Sequence, residues 1–294
     1  MRAAEQRTRR RRALDLTEAR TIRAVAQRAG LRQSRELGQH FLVDRAVLDE
    51  IVDALAPLTD VDVLEIGCGI GTLTTELAKR ARRVVAVDID DACVSAARVT
   101  QRDNGNVTVM QGDALQIDAP TLGMQPGWVL SGNLPYQLTG ALLTRFFEAP
   151  EPPSRAVFLV QREVARRLCA PAGGWSLATV AVRSVADVEC LATVPPAAFE
   201  PPPRVHSAVI RMRPARAMDG ASRSQVLWLA RVLFQARRKT LRHGVANALG
   251  GDAFKSAAAL DAAGIDIGRR PGTLDLDEWQ RLARAVDQVR DPDT

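Results

Sequence analysis

Short runs of valine, isoleucine and leucine alternate with helical segments through the middle of the chain, and this alternation constrains the fold more than any other feature. The runs predict buried strands at residues 61–66, 84–89, 107–110, 128–131 and 157–160, with helices at 73–81, 92–102, 140–148 and ending near 167. Runs without polar alternation are typical of parallel strands that are buried on both faces. The pattern therefore predicts a doubly wound α/β sheet.

The segments on either side of this region predict further parts of the molecule. Two more strands are expected at 185–194 and 205–212, and the proline-rich residues 199–203 between them predict a rigid loop. Residues 223–290 have helical periodicity and no strand candidates, while Thr17 is a candidate cap for a helix through residue 28. We expect a basic extension over 1–28, an α/β domain over 29–214 and a small all-helical C-terminal domain over 215–294.

The positive charge is concentrated in two places. The chain has a formal net charge of +6, but its first 35 residues hold eleven arginines against three acids, which leaves the remainder slightly negative. A second cluster comprises Arg237, Arg238, Lys239 and Arg242, with no acid among them. Such clusters favour a polyphosphate partner such as nucleic acid, although a solvated tail or surface would have the same composition.

Several classes of protein are disfavoured by composition. No apolar run approaches the roughly 20 residues of a membrane span, and the N-terminus has no apolar segment of a secretory signal. The four cysteines are widely spaced without a C-x-x-C pair, so neither a metal site nor a disulfide framework is expected. This cysteine usage indicates a reducing, cytoplasmic setting, and the lack of a long apolar run indicates no membrane association.

A glycine cluster after the first buried strand predicts a cofactor site. Gly67, Gly69 and Gly71 would let the backbone approach a ligand at the carboxyl edge of the sheet, while Thr72 stands where a dinucleotide fingerprint requires glycine. The next two strands end at carboxylates, one placed to bind ribose hydroxyls and the other to meet an adenine amino group. This set suits S-adenosylmethionine better than NAD. The predicted cofactor residues here are Glu65, Gly67, Gly69, Asp88, Ile89, Asp113 and Ala114.

A tetrapeptide after the fourth strand predicts the acceptor site. It is Asn133-Leu134-Pro135-Tyr136, and it contains the only tyrosine of the chain. The Asn133 side-chain oxygen and the Leu134 carbonyl can accept hydrogens from an amino group on a flat ring. Pro135 stiffens the turn, Tyr136 can stack on the base, and Phe199 is a candidate second wall. The pattern predicts methyl transfer to an exocyclic amino nitrogen of a base that is flipped or unpaired.

Several motifs in register identify a resemblance. They are residues 37–42, the glycine cluster, residues 133–136, 161–164, 199–205 and 237–242, and Gly264-Ile265-Asp266 with Arg269. Over about residues 37–285 the chain resembles the bacterial small-subunit ribosomal RNA adenine dimethyltransferases. The resemblance implies a Rossmann-like class I methyltransferase sheet, S-adenosylmethionine as cofactor and a cytoplasmic enzyme, which we expect to be monomeric.

The resemblance also implies a substrate and further site residues. The enzyme would place two methyl groups on N6 of each of two adjacent adenosines in the 3′-terminal hairpin loop of 16S rRNA, in an immature 30S subunit. Asn133 and Tyr136 would hold the adenine, and Arg237, Arg238, Lys239 and Arg242 would contact rRNA. The residues added to the cofactor site are Gln39, His40, Phe41, Leu42 and Asn133.

The chain departs from the family pattern at several positions. His40 replaces the usual asparagine, Asp88 is one methylene shorter than the common glutamate, and His243 replaces a common asparagine. The segment around Trp175 differs from the usual sequence, and the arginine-rich arm has no counterpart in the family pattern.

Four alternatives remain open at this point. The nearest is a related 23S rRNA adenine-N6 methyltransferase that confers macrolide resistance, in which arginine-rich arms occur. Leu134 and the run of residues 237–240 favour the 16S branch instead. The others are an amino-methylating DNA enzyme, a mitochondrial enzyme with residues 1–28 as transit peptide, and a non-catalytic rRNA-binding assembly factor. The intact Asn133 and Tyr136 argue against that last alternative.

Overall fold

The computed structural model describes residues 14–31, 40–134, 139–215, 218 and 220–290. The chain divides into two compact units, Met1–Pro135 with Val194–His206 and Tyr136–Thr193 with Ser207–Thr294. No helix in the described ranges is both long enough and apolar enough to cross a membrane.

The first unit is built on four parallel strands flanked by helices. The strands lie in the order β4-β3-β2-β5, with parallel pairing at each step. Its elements are α1 (Ala19–Arg28), β1 (Phe41–Leu42), α2 (Arg45–Ala54), β2 (Asp62–Ile66), α3 (Thr72–Ala78), β3 (Arg83–Asp88), α4 (Asp91–Gln101), β4 (Val107–Gln111), β5 (Val129–Asn133) and, later in the chain, β8 (Phe199–Glu200).

Local sequence accounts for these elements. All five residues of β2 are buried, as expected for a strand at the centre of a parallel sheet. Asp44 and Asp90 begin α2 and α4 by accepting backbone N–H bonds, which satisfies donors that a helix start otherwise leaves unpaired. The expected cap at Thr17 is wrong: α1 begins two residues later, with Glu18 at the N-cap, and Thr17 donates to Asp15 instead.

A two-stranded antiparallel ribbon joins distant parts of the first unit. Phe41 pairs with Glu200 and Leu42 with Phe199. The sequence predicted a loop over 199–203, but its first two residues form β8 because β1 supplies the partner strand. Neither short strand has a periodic pattern of its own.

The second unit combines three strands with a helical segment. β6 pairs antiparallel with β9, and the strand order is β6-β9-β7. The elements are α5 (Thr139–Glu148), β6 (Arg155–Gln161), α6 (Arg162–Leu168), α7 (Leu177–Arg183), β7 (Ala186–Val194), β9 (Ser207–Pro214), α8 (Gly220–Gln235), α9 (Leu241–Ala248), α10 (Ala253–Ala262) and α11 (Leu276–Arg290).

The last four helices share one apolar core. Leu229, Leu260 and Trp279 are buried in it, and the Trp279 ring stacks on Phe234 with centroids 5.8 Å apart. Each predicted strand lies within two residues of an observed one, and residues 220–290 contain no strand. The predicted α/β class is therefore confirmed, while the domain boundaries at residues 28 and 214 remain predictions.

Candidate active site

The glycine segment lies between β2 and α3, at the carboxyl edge of the parallel strands. Gly67 has φ of +70°, a left-handed conformation that residues with a Cβ rarely adopt. The Gly67 and Cys68 N–H groups donate to the Val87 carbonyl at 2.8 and 3.1 Å. The segment is thus held against the end of β3.

Asp88, the last residue of β3, organises this edge. Its Oδ2 accepts the Gly69 N–H at 2.8 Å, and its Oδ1 accepts the Asp90 N–H at 3.0 Å. Burial raises the pKa of the Asp88 carboxyl, and these two hydrogen bonds oppose the rise. A carboxylate has about four acceptor positions, so Asp88 retains acceptor capacity for the hydroxyls of a ligand.

Glu65 lies on β2 beside this site and is buried, with 1% of its surface exposed. Its Oε2 has no hydrogen-bond partner among the described residues. Burial raises the pKa of Glu65 to about 8; the nearby Thr74 hydroxyl opposes this rise and the charge of Asp88 adds to it. An unpaired buried oxygen costs free energy unless a ligand group pairs with it, and a cationic group at this place would stabilise the ionised form of Glu65 and displace its proton.

The third predicted carboxylate also lies at the edge. The Gly112 N–H donates to the Asp88 carbonyl at 3.0 Å, which brings the end of β4 to the end of β3. Asp113 Oδ1 accepts the Leu115 N–H at 2.9 Å, and Oδ2 accepts from Gln116 at 3.4 Å. Asp113 therefore shapes a turn and retains acceptor capacity. Of the neighbouring predicted residues, Ala114 is half-buried and Ile89 is exposed.

The glycine segment and the acceptor tetrapeptide meet through Gly132. A Cβ on Gly132 would overlap the Ile66 carbonyl oxygen, so only glycine allows β5 to approach β2 this closely. In turn, a Cβ on Gly67 would lie 3.1 Å from the Asn133 carbonyl oxygen. Two motifs about 60 residues apart in the sequence are thus in contact, as the sequence predicted.

A hydrogen bond fixes the orientation of the Asn133 side chain. Its Nδ2 donates to the His40 carbonyl oxygen at 2.9 Å. The amide therefore directs its nitrogen toward His40 and its Oδ1 away from it. An oxygen oriented in this way can accept a hydrogen from an amino group.

The other predicted acceptor residues differ in their accessibility. Leu134 is fully buried, and Phe199 is 3% exposed within the ribbon of β1 and β8, so little of its ring can be reached. Pro135, Tyr136 and the predicted cofactor residue Gln39 lie outside the described residues. The role of each predicted site residue stays a prediction.

The N-terminal helix α1 adds a part of the site that the sequence did not reveal. Ile22 and Val25 pack in one cluster with Ile70 of the glycine segment, and Phe41 packs against the same cluster. The Phe41 ring also lies 3.0 Å from the position that a Cβ on Gly69 would occupy. Ile22 and Val25 are three residues apart, a spacing that puts them on one face of a helix, but nothing in the sequence indicates what this face covers.

The residues of this edge fit S-adenosylmethionine. A backbone cradle is open where side chains would fill it, Asp88 has free acceptor positions, and Glu65 offers an orphaned acceptor. No group of three or more histidine, cysteine or acidic residues in the described ranges could hold a metal ion.

The basic cluster lies in the second unit, in the turn between α8 and α9. Arg237, Arg238 and Lys239 are exposed, as is Arg242 in the first turn of α9. No ion pair engages these four cations among the described residues. The Arg242 N–H donates to the Ile267 carbonyl at 3.1 Å, so the start of α9 is anchored while its cations remain in solvent.

Comparison with known proteins agrees with this geometry. The sequence model of the family described as ribosomal RNA adenine dimethylase matches residues 30–287. The chain belongs to this family. It is therefore an S-adenosylmethionine-dependent rRNA adenine dimethyltransferase.

Three relatives of the dimethylase illustrate the similarity. The ribosomal RNA small subunit methyltransferase A of Dehalococcoides mccartyi is 40% identical over 256 residues, which are 86% of this chain and 88% of that protein. The crystal structure of the 23S rRNA methyltransferase ErmE has a TM-score of 0.67 and 28% identity, covering 84% of this chain and 99% of that one. A dimethyladenosine transferase from Plasmodium falciparum has a TM-score of 0.69 and 26% identity, covering 82% and 95%.

Proposed function

We propose that this dimethylase transfers two methyl groups to N6 of each of two adjacent adenosines in the 3′-terminal hairpin loop of 16S rRNA. It acts in the cytoplasm, as a monomer, on an immature 30S subunit. The observation that carries the proposal is the Asn133 amide, which is held by the His40 carbonyl beside the glycine segment with its Oδ1 available.

The residues of the site account for the chemistry mainly by orientation. S-adenosylmethionine, when bound, supplies an electrophilic methyl group on a sulfonium that becomes a neutral thioether. The lone pair of adenine N6 is delocalised into the ring, so N6 needs acceptors that hold its hydrogens and favour a pyramidal nitrogen. Asn133 Oδ1 and the Leu134 carbonyl are suited to this role. The alkylated nitrogen is acidic and releases its proton without a strong general base.

Asp88, Glu65 and the glycine segment would hold the cofactor. Asp88 has acceptor positions for the ribose hydroxyls, and Glu65 offers an oxygen with which a cationic group would pair by displacing its proton. Asp113 and the exposed Ile89 are proposed to contact the adenine ring at the same edge. Tyr136 is proposed to contact the target base, whereas the buried ring of Phe199 offers the base little surface.

Similarity favours 16S over 23S rRNA as the target. The relative named a small subunit methyltransferase is 40% identical, whereas the 23S rRNA methyltransferase structure is 28% identical. The exposed cations at residues 237, 238, 239 and 242 provide a surface for the rRNA backbone. The four cysteines are free, which agrees with a reducing cytoplasm.

The decisive experiment is to incubate the protein with labelled S-adenosylmethionine and either immature 30S particles or 50S subunits from an unmethylated strain. The modified nucleoside is then mapped. We expect dimethyladenosine in the 16S 3′ hairpin. Label in 23S rRNA would assign the chain to the resistance methyltransferases. Particle binding without any label would favour a non-catalytic assembly factor.

A further inference from the structure

We infer that His40, which the resemblance assigned to the cofactor site, is instead a positioning residue of the acceptor site and joins Asn133 to the segment that begins at Pro201. The inference rests on the proposed function and adds to it a residue that acts through its neighbours. His40 is half-buried, and two of its hydrogen bonds carry the inference: its ring donates one and its backbone carbonyl accepts the other.

The ring bond has a defined donor. His40 Nδ1 lies 2.8 Å from the Pro201 carbonyl oxygen. A carbonyl oxygen can only accept, so Nδ1 carries the proton in this contact. Residues 201–203 are all prolines and have no N–H groups. A hydrogen bond can therefore hold the backbone of these prolines only if a donor from elsewhere reaches one of their carbonyl oxygens.

The backbone bond sets the orientation of Asn133. The His40 carbonyl oxygen accepts from Asn133 Nδ2 at 2.9 Å. If the Asn133 amide were flipped, its Oδ1 would face the His40 carbonyl, and two acceptors would oppose each other. The observed orientation is the one in which Oδ1 is available for an amino group of the target base.

His40 also stands at the end of the β1–β8 ribbon. Phe41 pairs with Glu200, and the Val43 N–H donates to the Ala198 carbonyl at 2.8 Å. The contact between His40 and Pro201 lies one residue beyond the Phe41–Glu200 pair on each strand. Movement of the His40 ring would therefore have two effects. It would shift the His40 carbonyl, which orients Asn133, and it would shift the segment that follows Phe199.

Three substitutions separate this role from a general structural one. His40→Leu removes the donor at similar size. His40→Asn keeps a donor, because asparagine Nδ2 and histidine Nδ1 are the same number of bonds from the Cα. His40→Gln also has an amide, but its donor is one bond farther out. Turnover, KM for the 30S particle, binding of S-adenosylhomocysteine and the thermal midpoint are measured for each variant and the wild type.

We expect His40→Leu and His40→Gln to lower kcat by about 10- to 100-fold, the cost of a misplaced catalytic group. The affinity of each variant for S-adenosylhomocysteine should stay within about threefold of the wild type, because the contact orients the acceptor site and does not bind the cofactor. His40→Asn should recover kcat to within about threefold of the wild type, because it keeps the donor.

Three results would overturn the inference: wild-type kcat in His40→Leu, a loss of turnover that follows weaker cofactor binding, or no recovery in His40→Asn. The thermal midpoint identifies a variant that fails to fold. If His40→Leu fails to fold, the inference is tested by comparing kcat of His40→Asn with kcat of His40→Gln. The variants are compared on whichever rRNA the wild type methylates. If that is 23S rRNA, the proposed function is contradicted, while the inference about His40 can still be tested. A wild type without activity on either subunit would contradict both.

Discussion

Loss of the Asn133 side chain is expected to affect methyl transfer much more than cofactor binding. Its Oδ1 is directed away from His40 toward the proposed acceptor site, while its backbone carbonyl lines the glycine segment. We expect Asn133→Ala to lower turnover by about 100- to 1,000-fold, as for removal of one polar group at a reacting centre. Cofactor affinity should change only a few fold, because the backbone contact remains. Single-turnover methylation and calorimetric titration with S-adenosylhomocysteine measure the two effects.

The matched control for this substitution is Asn247→Ala, an exposed asparagine in the second unit. Near-normal turnover in Asn133→Ala would show that the acceptor site is elsewhere. An equal loss in affinity and turnover would instead assign Asn133 to cofactor binding.

Glu65 predicts an unusual pH dependence of stability. Burial raises its pKa in the folded protein to about 8, from 4.5 for an ordinary glutamate. Between these values the folded state holds a proton that the unfolded state has released, so its contribution to stability is complete below pH 4.5 and is lost as the pH rises toward 8. Glu65→Gln removes this contribution. The free energy of unfolding, measured by urea titration from pH 5 to 8, should therefore decline less steeply in the variant.

Glu76→Gln is the control for Glu65. Glu76 pairs with Arg45 and Lys79, and the pKa of Glu76 is lowered by its hydrogen bonds to them. Its proton is thus lost from both states below this pH window, and the slope should remain that of the wild type. If Glu65→Gln also leaves the slope unchanged, Glu65 is ionised in the folded protein.

At the scale of elements, helix α1 links stability to cofactor affinity. Ile22 is 1% exposed and shares a cluster with Ile70, which lies inside the glycine segment. Ile22→Ala should lower the free energy of unfolding by about 2–5 kcal/mol and also weaken S-adenosylhomocysteine binding, because a cavity beside Ile70 loosens the cradle. Val99→Ala, at an exposed position on α4, should change neither quantity. Unchanged affinity in Ile22→Ala would limit α1 to a scaffolding role.

The elements that could be predicted are those whose pattern is local. β3 has a continuous apolar run between polar ends, and β2 is mostly valine, isoleucine and leucine and ends at a glycine, so the position of both strands follows from the sequence. β1 and β8 have two residues each and exist because they pair across about 160 positions, which no local pattern records. Helix α7 is not predicted by the sequence: Ser176 and Thr179 form a capping box at its start, but threonine stands where the sequence signature of this box has glutamate or glutamine.

The candidate site likewise has features that the sequence could predict and features that it could not. The rule that parallel strands end at one edge was sufficient to bring Asp88, Asp113 and Asn133 together. It could not indicate that Asp88 would bind the Gly69 N–H or that the His40 ring would reach Pro201. These contacts depend on the conformation of irregular segments, which follows from tertiary packing and not from residue type.

For the whole molecule, charge is the property that determines encounter with rRNA. Arg237, Arg238 and Lys239 are exposed, and each phosphate contact contributes about 0.7–0.9 to the slope of log K against log salt. Replacing all three by alanine should lower the magnitude of this slope by about 2–3 in binding assays with the 16S 3′ hairpin. Arg102→Ala, an exposed arginine in the first unit, should leave it unchanged. Equal slopes for the wild type and the triple variant would place the rRNA contact elsewhere.

The arginine-rich arm permits a separate test of the same physics. Residues 1–12 contain six arginines and one glutamate, and they precede the described part of the chain. If the arm contacts phosphates, its deletion should weaken binding at low salt and reduce the slope, because fewer counterions are released from the RNA. The effect should add to that of the triple substitution at residues 237–239 if the two groups of cations contact different phosphates. Affinity that falls equally at all salt concentrations would indicate a non-electrostatic contact, and an unchanged slope would make the arm a solvated tail.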